Sequence, residues 1–571
     1  MLFGESKVST APAFARMHML RFDAIDVALL PRVNPIFRDY LQGRSPLRDF
    51  YRWDPRQSQG QLLDSLTRRS YPRDELTSIL TDQNRTWGAG NALVEGIARL
   101  RDSRAMMVVT GQQVGLFGGP LYTLYKALTA VAVARQLESE WKIPCLPLFW
   151  MASEDTDFAE IDHIAMPDEQ DRITLLRYVP HRGFGTDLPA THDLTPEIDR
   201  VFDALRQAAG AGRLQEKAFA LLQDCYRPGA NLVAAFGRLL SSLLGSQGLV
   251  LVDPSDGRLK ALARSLFLHE IATAPASARL VQTAWEKLRS LGYPPQVRLR
   301  GEGPNLFYLH EGRQPLKQVG DRQELMRIVE ESPERFSPNV ILRPIMENFL
   351  FPTLAHVAGP HETAYYAQLR GVFDHFDIPM PFILPRASLT LVEGRIERLI
   401  KKHDLTFRGL HEDPERIVRQ VLRRSLPKSF VTKQQRVVRT VLKGFEELKV
   451  LVSTLDPTLT PRLGRGEGLV KKQMEEMERL LLRSLNRRNQ EIRTQVLRVL
   501  THLLPHGELQ ERVDGFMPYL CRHGLPLIDV IAAAIDGPGW DHRLLYLGAS
   551  RASDDRRPTT GDSKPNRRGH R

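Results

Sequence analysis

The chain has 571 residues, 42% hydrophobic and 26% charged, the balance of a folded globular protein too long for one simple core, so two or three domains are expected. No run of eighteen apolar residues suggests a membrane-spanning helix, and the start, MLFGESKVSTAPAFARMHML, lacks an apolar signal core and cleavage site, so a cytoplasmic location is expected. The net charge is +12, and the three cysteines, Cys145, Cys225 and Cys521, are far apart with no C-x-x-C pair, which argues against a disulfide framework or a cysteine zinc site.

In chain order, Arg21 to Pro72 carries Phe37, Tyr40, Phe50, Tyr51 and Trp53 among charges, the texture of short helices and loops that wrap a core. Glu75 to Leu100 has helical character. Ala105 to Thr110 is a short apolar run of the buried parallel-strand type and ends at Gly111. A glycine-bearing loop, Gly111 to Pro120, leads to a helix over Leu121 to Glu138, with Leu124, Leu128, Val131 and Leu137 at helical spacing. Ile143 to Met151 is a second strand, with the acidic stretch Ser153 to Asp157 at its end. This β–loop–α–β unit predicts parallel strands. A mostly helical insertion is expected within about residues 171–245, clearest over Thr191 to Leu244. Further strands are expected at Gly248 to Asp253, Leu306 to Leu309, Val340 to Arg343 and Phe382 to Leu384. Phe349 to Phe376 is expected as helix, turn and helix.

The texture changes near Leu389. Val438, Val441, Phe445, Leu448 and Val452 form an a/d seam, and a Gly- and Pro-rich loop follows at Ser453 to Gly468. A second long helix runs from Leu469 to about Leu504, so residues 389–504 are expected as an antiparallel helical hairpin, either a local bundle or a projecting arm that dimerises. Residues 1–388 then form the catalytic core and 505–547 a helical segment returning to it. Gly548 to Arg571, with seven basic and three acidic residues, is expected as a disordered tail. The remaining basic residues suit either solvated helix faces or, as an alternative, a non-catalytic nucleotide- or RNA-binding coiled-coil protein, although no RNA-binding signature is visible.

Three segments have the composition of a site. In TGQQVGLFGGPLYTLYK, Gly111, Gly115 and Gly119 allow close backbone approach, Gln112 and Gln113 add amide groups, and the helix N-terminus behind Pro120 favours an anion. Trp150 opens WMASEDTDFAEIDH, which places Ser153, Glu154, Asp155 and Asp157 beyond the carboxyl end of a strand, where α/β proteins bind ligands. Carboxylates there can hold an amine or act as a base, or merely complement a helix dipole. His163 alone is more often structural. In the third segment, RPIMEN followed by GPHETAYYAQL, Glu362, Tyr365 and Gln368 lie on a helix after a turn, and Arg386 follows a later strand with a fork suited to a carboxylate. Lys126 matters only if it faces the glycine loop.

Together TGQQVGLFGGPLYTLYKA, FWMASEDTDFAEIDH, RPIMENFLFPTLAHVAGPHETAYYAQL, PFILPRAS and HGELQERVDGFMPYL resemble the bacillithiol biosynthesis cysteine-adding enzymes, from about Asn34 to Leu547. The resemblance implies an α/β fold with a Rossmann-like parallel-sheet core, helical insertions and a C-terminal antiparallel coiled-coil arm that makes a homodimer. It implies a ligase joining cysteine to the amine of glucosaminyl-malate, with no membrane or nucleic-acid partner. Glu154, Asp155 and Asp157 are expected as catalytic acids. Gln112, Gln113, Tyr122, Trp150, Ser153, Glu362, Tyr365, Gln368 and Arg386 are expected at the substrates, and Gly111, Gly115 and Gly119 at the phosphates of ATP, the expected activator. No metal site is assigned. Members commonly carry E-D-H-D where this chain has Glu154-Asp155-Thr156-Asp157, and threonine where it has Gly118; both departures bear on how the site is tuned.

Overall fold

A computed structural model describes residues 21–54, 60–155, 157–210, 214–294, 296–297, 303–310, 312–316, 321–488 and 490–548. Thr156 and the basic tail beyond Gly548 lie outside the described residues. The strands are β1 (Phe22–Asp26), β2 (Met106–Gln113), β3 (Cys145–Ala152), β4 (His163–Pro167), β5 (Ile173–Arg177), β6 (Val250–Val252), β7 (Leu306–Leu309), β8 (Arg313–Pro315), β9 (Phe336–Pro338), β10 (Thr353–Ala358), β11 (Phe382–Pro385), β12 (Ser388–Glu393) and β13 (Asp541–Leu547).

The central sheet has the order β11-β10-β2-β3-β6, and every neighbouring pair is parallel. Its strands are short apolar runs because both faces are covered. Along β3, Leu148 and Trp150 enter one core cluster while Phe149 and Met151 enter another. The second cluster is built largely with the inserted helices Ile198–Ala209, Glu216–Cys225 and Leu232–Leu244. The N-terminal segment is anchored by aromatic side chains: Tyr51 donates to the Thr363 carbonyl at 2.7 Å and Trp53 to that of Met380 at 2.7 Å.

Several expected elements differ. Phe349 to Phe376 is not two helices and a turn, because Thr353–Ala358 is β10, buried throughout in the sheet. A six-residue apolar stretch does not distinguish strand from helix by periodicity. Val340 to Arg343 is not a strand. The Asn339 side chain accepts from the N–H groups of Ile341 and Leu342 at 2.9 and 3.2 Å and starts the helix Leu342–Leu350. The break at Ser453 to Gly468 is shorter than expected. One long helix runs Lys428–Leu455, the turn is capped by Asp456, and the next helix runs Thr460–Arg488 through three glycines. Gly466 has a packing reason, since a Cβ there would come within 3.1 Å of the Phe445 ring. The C-terminal segment is helical only as far as Ala534 and then forms β13. That strand pairs antiparallel with β1 and parallel with β12, joining both ends of the described chain to the root of the arm.

Candidate active site

A cleft of about 1350 Å³ opens at the carboxyl ends of β2, β3 and β10. Parallel register explains which groups meet there. Gly111 lies opposite Trp150 and Gln113 opposite Ala152, so the glutamine pair and the Ser153 to Asp155 stretch emerge side by side. Gly111 permits the close strand approach, because a Cβ there would sit 2.9 Å from the Trp150 carbonyl oxygen. The remaining walls come from the β7–β9 sheet, the β4–β5 hairpin and the segment holding His506, Arg512 and Val513.

Of the expected residues, Gln112, Gln113, Tyr122, Trp150, Ser153, Glu154, Asp155, Glu362, Tyr365, Arg386 and Gly111 line this one cleft. Their commitments differ. Glu154 is buried in an ion pair with Lys260, whose ammonium also donates to the Glu334 carbonyl at 3.2 Å. Burial lifts the Glu154 carboxyl above its ordinary range against the pull of Lys260. Ser153 is turned to Asp253 at 2.5 Å. Asp155 is half-exposed; its carboxylate accepts from Gln113 Nε2 at 2.8 Å and lies 3.9 Å from Arg313 Nη1. Arg386 does not offer a free fork, because Glu511 takes one arm at 2.8 Å and the Ala387 carbonyl another at 2.8 Å. Tyr122 accepts from Gln112 Nε2 at 3.3 Å beneath that guanidinium.

Four expected residues lie elsewhere. Asp157 is an exposed N-terminal residue of a short helix and makes no side-chain cap. Gln368 is fully buried, accepting from the Val297 N–H at 3.0 Å. Gly115 and Gly119 do not reach the cleft, for the glycine loop is covered. Phe117 sits among Phe202 and Tyr226, and the Tyr226 hydroxyl accepts from the Gly118 N–H at 3.2 Å. The Leu121 N–H, at the mouth of the following helix, donates to the Asp514 carbonyl at 2.8 Å. These N–H groups are spent within the protein, so the loop does not fit the role of a phosphate cradle. Gly118 itself has φ of 86°, and a Cβ there would run into the Phe516 ring. The space a larger residue would need is therefore filled.

A connected set of charges runs along the cleft floor, of which sequence reasoning named Glu362 and weighed Lys126 but left out Glu347 and His356. Lys126 faces the loop after all: it pairs with Glu362 and donates to the Gly111 carbonyl at 2.8 Å and to Gln112 Oε1 at 3.0 Å. Burial opposes ionisation of Glu362. Lys126, His356 and the Gly359 N–H at 2.9 Å nevertheless hold its carboxyl well below the ordinary range. His356 and Glu347 are both fully buried and meet at 2.8 Å, and Arg343 lies 3.6 Å from the other Glu347 oxygen. Arg343 also donates to the Tyr365 hydroxyl at 2.5 Å. Glu347 and His356 lie within the span of the third site segment and Lys260 lies outside all three, but each sits in a helix or strand interior, so spacing alone did not mark them.

The arrangement places the half-exposed Asp155 carboxylate among several cations at the tips of parallel strands, with the exposed Glu160 further along the wall. Two family models cover the chain: the bacillithiol biosynthesis BshC N-terminal Rossmann-like domain over residues 20–387, and the BshC C-terminal coiled-coil domain over 389–547. The chain belongs to the BshC family. A relative in Salinibacter ruber, named "Putative cysteine ligase BshC", is 33% identical over 518 residues, covering 88% of this chain and 94% of the relative. A relative of the same name in Koribacter versatilis is 32% identical over 539 residues, covering 92% and 99%. The family is one of bacillithiol biosynthesis and its relatives carry the name "Putative cysteine ligase", so the comparisons support a ligase with small-molecule substrates. They do not support the non-catalytic binding protein that composition also allowed. Among the described residues no helix is long and apolar enough to cross a membrane.

Proposed function

We propose that this BshC protein joins the carboxyl group of L-cysteine to the amine of glucosaminyl-malate, forming an amide in the last step of bacillithiol biosynthesis. The observation that carries the reading is Asp155. An attacking amine must be oriented and must lose a proton. Glu154 is closed off by Lys260, whereas Asp155 is held by Gln113 and keeps part of its carboxylate toward the cleft. The same cleft holds Arg512, His361 and His506. Their side chains make no hydrogen bond among the described residues, and Arg512 has only a 3.8 Å ion pair with Glu508. A small acid carrying two carboxylates suits such a set.

A free carboxylate does not acylate an amine without activation, and ATP is the proposed activator. Of the three glycines named for its phosphates only Gly111 reaches the cleft, and the covered loop behind it offers no cradle, so the chemistry assigned to this chain is confined to binding and proton removal. Asp155→Asn is expected to lower turnover about a hundredfold, the lower end of a general-base contribution. Its melting temperature should stay near wild type. Product formation from cysteine and glucosaminyl-malate is measured by mass spectrometry, with and without ATP. Wild-type turnover in the variant rejects Asp155 as the base, and cells that lack the protein without accumulating glucosaminyl-malate reject the substrate.

A further inference from the structure

At and beneath the cleft floor the five side chains Arg343, Glu347, His356, Glu362 and Lys126 form one line from helix Leu342–Leu350, through β10 and the helix Pro360–Tyr366, to the helix Leu121–Trp141, where Lys126 reaches the tip of β2. Glu347 Oε1 meets His356 Nδ1 at 2.8 Å. The other ring nitrogen, Nε2, has no hydrogen-bond partner among the described residues and lies 3.9 Å from Glu362 Oε1. The second Glu362 oxygen is paired with Lys126, which lines the cleft. His356 and Glu347 have no exposed surface. Burying such charges is costly, and apolar residues of similar volume would serve packing as well or better. A tie between a helix and a strand does not require an ionisable ring set between two carboxylates.

Charge counting gives the set a purpose. With a neutral imidazole, Arg343 and Lys126 balance Glu347 and Glu362, and Glu362 cancels the charge that Lys126 presents to the cleft. With a protonated imidazole the set has one positive charge in excess. Glu362 is then shared between His356 and Lys126, and Lys126 keeps a positive field toward the cleft. We propose that His356, oriented by Glu347, is a positioning residue that carries a proton and so makes the cleft floor, through Glu362 and Lys126, a receptor for a substrate carboxylate. The groups facing His356 are Glu347, Glu362 and, through them, Arg343 and Lys126, with the Tyr366 ring 5.0 Å away. Burial alone would strip the proton from the ring; Glu347 and Glu362 outweigh it and raise its affinity for the proton above the ordinary histidine value.

The inference rests on the proposed reaction for the identity of the carboxylate, so the test measures binding apart from turnover. L-malate is titrated into the intact protein by calorimetry from pH 6 to 9. Wild-type affinity is expected to fall as pH rises through the raised titration point of His356. His356→Gln should bind about tenfold more weakly at pH 7 and lose that fall. Glu347→Gln leaves the ring in place but removes the charge supporting its proton, so the fall should move to lower pH, a shift that a purely structural role would not produce. Circular dichroism checks folding, and Glu347→Gln carries the test if His356→Gln does not fold. Equal affinity and equal pH dependence in wild type and both variants overturns the proposal, and so does a wild type that does not bind L-malate. Binding that behaves as expected, with no amide product, overturns the reaction alone.

Discussion

Asp514 shows how strongly a single carboxyl depends on its surroundings. It is fully buried, and burial pushes it up to about 8 although the Tyr519 hydroxyl donates to it at 2.8 Å. Its folded-state value lies above the unfolded one, so its contribution to stability is complete at acid pH and is lost as pH rises through about 8. Asp514→Asn keeps an acceptor for Tyr519 and removes the titration. The variant should therefore gain in melting temperature over wild type as pH rises from about 5 to about 8, and a gap that does not change with pH contradicts this. The residues legible in the sequence were of another kind. Gln112, Gln113, Asp155 and Glu362 lie at or just beyond strand ends or turns, where ligands bind in such sheets, and the structure brings them into one cleft. Glu347 and His356 were illegible because a helix and a strand of unassigned register bring them together over only nine positions, and Lys260 because its partner is distant in sequence. Lys260 reaches Glu154 across 106 positions. The glycine loop misled for the same reason: Tyr226 and Asp514, which cover it, come from segments far along the chain.

At the scale of elements, the two long arm helices were legible because their period is local, while β10 was not, because a buried central strand and a short helix share one apolar texture. The arm carries more apolar surface than its own hairpin uses. Val438, Val441, Phe445 and Val452 are half-buried in the seam between the helices. Val437, Leu448, Leu451 and Leu455 recur at heptad-compatible spacing along a neighbouring stripe and are 51%, 49%, 60% and 84% exposed. Leu469, Met477 and Leu480 on the second helix are exposed as well. A stripe of this kind suits a second copy of the chain. Leu451→Glu with Leu455→Glu should give a folded monomer, since neither residue supports the internal seam. Light scattering measures the mass; a monomeric wild type, or an unchanged dimer in the variant, counts against the arm as the dimer contact.

For the whole molecule, arm, hairpin and cleft meet in one cluster of charges. The β4–β5 turn presents Asp171, whose side chain is 9% exposed, to Arg498 at 2.5 Å, His502 at 2.9 Å and Arg395 at 3.1 Å. Arg498 and His502 belong to the helix Gln490–Leu503 that roots the arm. Glu393, at the end of β12, meets Arg395, Arg522 and His523 within 3.2 Å. The hairpin held by Asp171 also gives His163, Ile173 and Leu175 to the cleft, and the chain leaving the arm root gives His506 and Arg512. Two cleft walls are thus fixed to the arm by one carboxylate and its partners. Asp171→Ala removes the shared acceptor of Arg498, Arg395 and His502. Arg395 keeps Glu393, and both arginines are about a third exposed, so solvent screens the loss. The change is expected to cost about 1–2 kcal/mol, below the scale for a fully buried ion pair. Because the hairpin is a wall and Asp155 lies on another strand tip, substrate KM should rise more than kcat falls. Steady-state kinetics beside a denaturant melt separates the two effects. A destabilised variant with wild-type KM would show that the hairpin keeps its place without the arm, and that the charge cluster serves folding alone.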